Sequence, residues 1–142
     1  MSILRSLNCA SFCPWLPRIQ GITQVLLMQT QQGLVLVDSG YGTTDFTQPH
    51  ALVWFFTSLM RTPREGNACA LHQIQALGYQ PRDVKHIILT HLHIDHAGGI
   101  ADFPWATVHV HQAEYNAARQ HKGRVGLGYL PAQWQQHQYW AF

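Results

Sequence analysis

The residues best equipped for chemistry lie in one run, Thr90-His91-Leu92-His93-Ile94-Asp95-His96-Ala97-Gly98-Gly99. His91, His93, Asp95 and His96 put four potential metal ligands within six positions. In an extended chain, residues two apart point to the same side, so His91 and His93 can converge on one ion at a zinc–nitrogen distance of ~2.0–2.1 Å. Leu92 and Ile94 then face the other way, into a core. A turn after Ile94 brings Asp95 and His96 round to a neighbouring position, and Gly98 and Gly99 let the backbone bend tightly beneath them. One loop can thus feed two ions. A further carboxylate, Asp38, ends an apolar run and opens Asp38-Ser39-Gly40-Tyr41-Gly42, where two glycines permit a sharp turn beside a site.

Ten histidines outnumber both the nine Lys plus Arg and the seven Asp plus Glu, so charge near neutral pH depends on groups that titrate there or that metals hold neutral. The other histidines read more plainly. His109 and His111 share one face of a short strand as polar strand residues, and His121 and His137 read as solvated side chains at a helix end and in a Gln-rich tail. Cys9, Cys13 and Cys69 are too few for a disulfide framework, and the first two are badly spaced for zinc, so all three read as reduced, structural thiols.

Several elements are needed to position these groups. Ile22 to Thr30 and Leu34 to Val37, separated by Gln31-Gln32-Gly33, predict a β-hairpin whose second strand delivers Asp38. Phe46 to Met60, with Trp54, Phe55 and Phe56, is bulky without clean period, either a helix or a flap. Ala68, Leu71, Ile74 and Leu77 repeat at helical spacing, with Asn67 as N-cap and Gly78 at the stop, predicting about three turns. Val84 to Thr90 is a short buried strand that delivers the histidine run. A second short strand around Val108 and Val110 and a helix from Gln112 to about Gln120 follow. Beyond Gly123 the sequence loses period, and nothing in the tail closes a domain.

The chain has 142 residues, 46% of them hydrophobic and only 11% charged. That length suits one domain or less. A formal charge of +2 is too slight for a nucleic-acid or anionic-membrane footprint. No apolar run approaches a membrane span, and Met1 to Cys13 lacks the pattern of a secretory signal, so the expected location is cytoplasmic.

The run His91, His93, Asp95, His96 resembles the HxHxDH signature of the metallo-β-lactamase superfamily. Leu34 to Gly40 is similar to the strand and Asp-Thr-Gly turn that precede the signature there, with Ser39 in place of the commoner Thr. The stretch from Ala76 to Tyr115 resembles the lactonase-like branch, and the likeness runs from about Leu7 onward. The resemblance implies an α/β fold in layers, the N-terminal part of an αββα sandwich, with residues 1–142 forming a partial domain whose second half is absent. It also implies two zinc ions, with His91 and His93 on the first, Asp95 and His96 on the second, Asp95 orienting the attacking water and moving its proton, and Asp38 steadying the loop behind them. The implied substrate is a small molecule, a lactone or ester, for which Trp54, Phe55 and Phe56 could supply an apolar wall.

In that family a later His, a bridging Asp and a last His complete the site, and Asp102 and Glu114 are too close to the signature to be that Asp. Two readings therefore stand: a zinc-dependent hydrolase, or a truncated, inactive metal-binding half-domain that needs its missing half or a second copy as partner. Half a sandwich also leaves one sheet face bare and an edge strand open.

Overall fold

The computed structural model describes residues 3–120 and 128–142. Six strands form one sheet in sequence order: β1 (Ile3–Phe12), β2 (Gly21–Thr30), β3 (Gly33–Val37), β4 (Val84–Ile88), β5 (Thr107–His109) and β6 (Trp140–Ala141). The first three are antiparallel and the later pairings parallel. Thr30 pairs with Gly33 across the Gln31-Gln32 turn, as the hairpin pattern predicts, and Gly33 takes φ +127°, which favours glycine.

Among the described residues five α-helices accompany the sheet: α1 (Thr43–Thr47), α2 (Ala51–Leu59), α3 (Ala70–Ala76), α4 (Ile94–Ala97) and α5 (Gln112–Gln120). None is long and apolar enough to cross a membrane. The main core joins Leu7, Val25, Leu27, Leu34, Leu36, Val84, Ile87 and Val108 of the sheet to Ile74 of α3, Ala118 of α5 and Phe103. A second cluster packs Val53 of α2 with Tyr41, Phe46, Ile94 and Leu130. On the opposite sheet face Leu26, Met28 and Val37 are half-buried and Ile88 is exposed, and none of them belongs to either cluster. There His86 Nδ1 and His109 Nε2 stand 3.0 Å apart on neighbouring strands.

Some expectations need correction. The helix predicted from Asn67 begins later, because residues Gly66–Ala68 form a 3₁₀ turn; Cys69 takes the N-cap and α3 runs only seven residues. His111 lies past the strand, where its Nδ1 accepts from Ala113 N and caps α5. The tail does help close the unit: β6 extends the sheet, Trp134 is buried, and Trp134, Trp140 and Phe142 all pack around Tyr115. His137 is half-buried there, with a ring nitrogen 2.9 Å from the Ala106 carbonyl, and is not a solvated side chain. His121 and Gly123 lie outside the described residues. The three cysteines are free thiols as expected, and burial pushes Cys9 and Cys69 up to about 12.

Candidate metal centre

The parallel strands β3 and β4 end side by side, and the chain leaving each of them builds the site. Asp38 N donates to Ile88 O at 2.8 Å, and Asp38 then turns through φ +60°, a left-handed conformation that Asp tolerates better than most residues. Ser39 donates to the His96 carbonyl through both its backbone N and its hydroxyl, each at 2.8 Å, and Gly99 N donates to Gly40 O at 3.0 Å. The loop after β3 is thereby stitched along α4.

The glycines act differently from the expectation. Gly98 has an ordinary φ of −59°, so no unusual bend calls for glycine there. Space does: a Cβ on Gly98 would overlap Asp45 Oδ2, and one on Gly99 would overlap Ser39 O.

Burial alternates along the run as the pattern predicts, with Leu92 and Ile94 buried and His91, His93, Asp95 and His96 half-buried. The three imidazoles gather. His91 lies 4.0 Å from His96 and 4.6 Å from His93, centroid to centroid, and His96 Nε2 is 3.5 Å from Asp95 Oδ2.

Asp38 organises this group from behind. Its buried carboxylate accepts from Thr90 N at 2.8 Å, from the Thr90 hydroxyl and from His96 Nδ1 at 2.9 Å. Since the Thr90 hydroxyl spends its proton on Asp38, it accepts from His91 Nδ1, 2.9 Å away. Both His91 and His96 are thus held as Nδ1–H tautomers, which leaves each Nε2 lone pair free to bind a metal. The pKa shifts fit this network. Burial, then the neighbouring His96 and His93, lower His91; burial also works against charge on His96, but the Asp38 hydrogen bond and the Asp95 and Asp38 charges outweigh it and raise His96.

Imidazole and carboxylate donors of fixed tautomer fit a divalent metal such as zinc in chemical type. In position they fall short of a complete shell, because among the described residues no three His, Cys, Asp or Glu side chains stand where they could hold an ion together.

Several supporting residues carried no sequence signal of their own. Thr90 holds His91. Glu114 of α5 accepts from Leu92 N at 2.9 Å and from the Tyr129 hydroxyl at 3.4 Å, and the Tyr129 ring packs edge-on against His93. Asp102, set aside above as a metal bridge, accepts from Thr43. Of the three aromatics on α2, Trp54 and Phe55 are exposed, while Phe56 packs against the second cluster.

Known proteins agree with this architecture. The family model of the metallo-β-lactamase superfamily matches residues 18–135. A probable metallo-hydrolase of Mycobacterium tuberculosis is 42% identical over 129 residues, which cover 90% of this chain and 41% of that protein. The N-acyl homoserine lactonase AttM of Azorhizobium caulinodans is 35% identical over 106 residues, 73% of this chain and 40% of the relative. A Bacillus thuringiensis AiiA variant, crystallised with N-decanoyl-L-homoserine at its active site, superposes with a TM-score of 0.70 at 21% identity, covering 97% of this chain and 58% of that one. A probable metal-dependent hydrolase from Staphylococcus aureus gives 0.73 at 19% identity, covering 93% and 55% respectively. The chain therefore spans about two fifths of these curated relatives and somewhat over half of the solved chains. With the signature, the strand-end Asp and the sheet order all in place, the chain belongs to the metallo-β-lactamase superfamily.

Proposed function

We propose that this chain carries the principal metal-binding loop of a zinc-dependent hydrolase that opens a lactone or ester, with N-acyl homoserine lactones as the first substrates to try. The observation that carries the reading is the gathering of His91, His93 and His96, two of them fixed as Nδ1–H tautomers by Thr90 and Asp38. His91 and His93 would hold one ion, and Asp95 with His96 a second. Zinc bound there supplies a water that ionises near neutral pH and a Lewis acid for the carbonyl.

The chain's own residues do the rest. Asp95, 34% exposed on its side chain, is open enough to accept the water's proton and hand it to the leaving oxygen. Asp38 keeps His96 aimed. Trp54 and Phe55, exposed on α2, offer an apolar surface for an acyl chain, and Phe56 is committed to packing. The relatives named as N-acyl homoserine lactonases support the substrate class.

A second reading for the chain by itself is that it takes up metal without turnover until further ligands arrive, since among the described residues no three ligands stand together. Metal content of the purified chain, measured together with lactone hydrolysis, separates the two. Zinc uptake with turnover that His93→Ala abolishes supports the hydrolase; zinc uptake without turnover supports the half-site; no zinc uptake sinks both.

A further inference from the structure

The buried pair Asp45 and Gln133 lies directly behind α4. Asp45, on α1, is 6% exposed, and Gln133, in the C-terminal segment, is 8% exposed. Gln133 Nε2 donates to both Asp45 carboxylate oxygens, at 3.1 and 3.0 Å, and to the backbone carbonyl of Ile94 at 3.1 Å. Asp45 Oδ2 also accepts from Gly42 N at 2.9 Å. The amide can sit only one way, because the opposite orientation would set its oxygen against three acceptors. In the orientation it takes, Oε1 is buried and lacks a hydrogen-bond partner among the described residues. A hydrogen-bonding capacity is therefore left unmet, and the polar value of this side chain lies wholly in its NH₂ group.

What that group holds is specific. Ile94 opens α4, and the next two residues are Asp95 and His96. The same pair fills the space over Gly98 at the other end of α4, where a Cβ would overlap Asp45 Oδ2 and come within 2.9 Å of Gln133 Nε2. One buried pair thus touches both ends of the four-residue helix.

We propose that Asp45 and Gln133 are positioning residues, a clamp that fixes α4 and through it the aim of Asp95 and His96. Asp45 orients the Gln133 amide, and the amide holds the Ile94 carbonyl. The clamp couples three segments distant in sequence, the loop after β3, the histidine run and the C-terminal tail. Its purpose rests on the reading of Asp95 and His96 as metal ligands, but its mechanical action is testable without metal.

Three variants separate the clamp from ordinary core packing. Gln133→Glu sets a second carboxyl against buried Asp45, and the one proton such a pair shares can serve only one of the two links. Asp45→Asn combined with Gln133→Glu restores one donor between the two positions and leaves none for Ile94 O. Gln133→Met removes the links with no charge added, in case the charged variants do not fold. Hydrogen exchange across residues 93–99 of the metal-free chain is compared with the urea unfolding midpoint, and zinc affinity is then measured by chelator competition.

The double variant should regain most of the midpoint lost in Gln133→Glu while exchange in 93–99 stays at least about tenfold faster than in the unsubstituted chain. Gln133→Met should show the same local acceleration and bind zinc about tenfold more weakly. Exchange at the unsubstituted rate in Gln133→Met, or in the double variant, overturns the clamp. Absence of zinc uptake by the unsubstituted chain, a separate result, overturns the metal reading beneath it.

Discussion

At the scale of single residues, Asp38 does the most with one side chain. It ends β3, takes a left-handed conformation, and gathers Thr90 N, the Thr90 hydroxyl and His96 Nδ1 onto one buried carboxylate. The arrangement sets two tautomers at once, His96 directly and His91 through Thr90. Asp38→Asn keeps the shape and the tolerance of positive φ but removes the charge and one acceptor, so the amide must face one of its donors with its own NH₂. Zinc affinity should fall about 10–100-fold, read by chelator competition, with the fold retained by circular dichroism. An unchanged affinity would mean that His96 needs no orienting partner.

At the scale of elements, the site is a seam between the loop after β3 and α4, and its closeness rests on glycines. Gly99 donates its N–H to Gly40 O while its Cα lies against Ser39. Gly99→Ala would drive a methyl group into the Ser39 carbonyl, and backbone on both sides can give little. The expected cost is about 2 kcal/mol or more, seen as a lower urea midpoint. Substituting Gly66, which has open space around it, should cost far less and serves as the control.

At the scale of the whole molecule, the described residues cover the two sheet faces unequally: one carries the main core, the other a half-buried apolar strip. Leu26 and Met28 on β2, Val37 on β3 and Ile88 on β4 form an apolar strip outside both hydrophobic clusters, with Ile88, 41% exposed, at its β4 end. This 142-residue chain should therefore self-associate at micromolar concentration, and Ile88→Lys should shift it toward monomer by light scattering. Stability should also depend on pH in a defined sense. His91, His109 and His137 are held below the ordinary value of 6.5, each by burial first, while His96 is raised. A histidine with a lowered pKa binds its proton more readily when unfolded, so stability drops as pH falls through about 6.5; His96 acts in the opposite direction. His109, with its lowered pKa, opposes folding as pH falls, so His109→Gln should shrink any drop in urea midpoint between about pH 7.5 and about pH 5.5.

The sequence by itself determined whatever depends on neighbours along the chain. Alternation of Leu92 and Ile94 with His91 and His93 was legible because a strand end repeats every two residues, and the hairpin into Asp38 was legible because a Gly-ended turn separates two β-branched runs. The HxHxDH run itself marked the family. Only the tertiary structure decided what depends on distant segments meeting. Cys69 displaced Asn67 as the cap of α3 because the chain makes a 3₁₀ turn first. β6, a two-residue strand, has no period to read and exists because β5 offers it an edge. Glu114 and Gln133 looked like ordinary helix and tail residues, yet their side chains end on Leu92 N and Ile94 O. A hydrogen bond between residues 39 positions apart leaves no local pattern, since its energy is realised only after packing has brought both groups out of water.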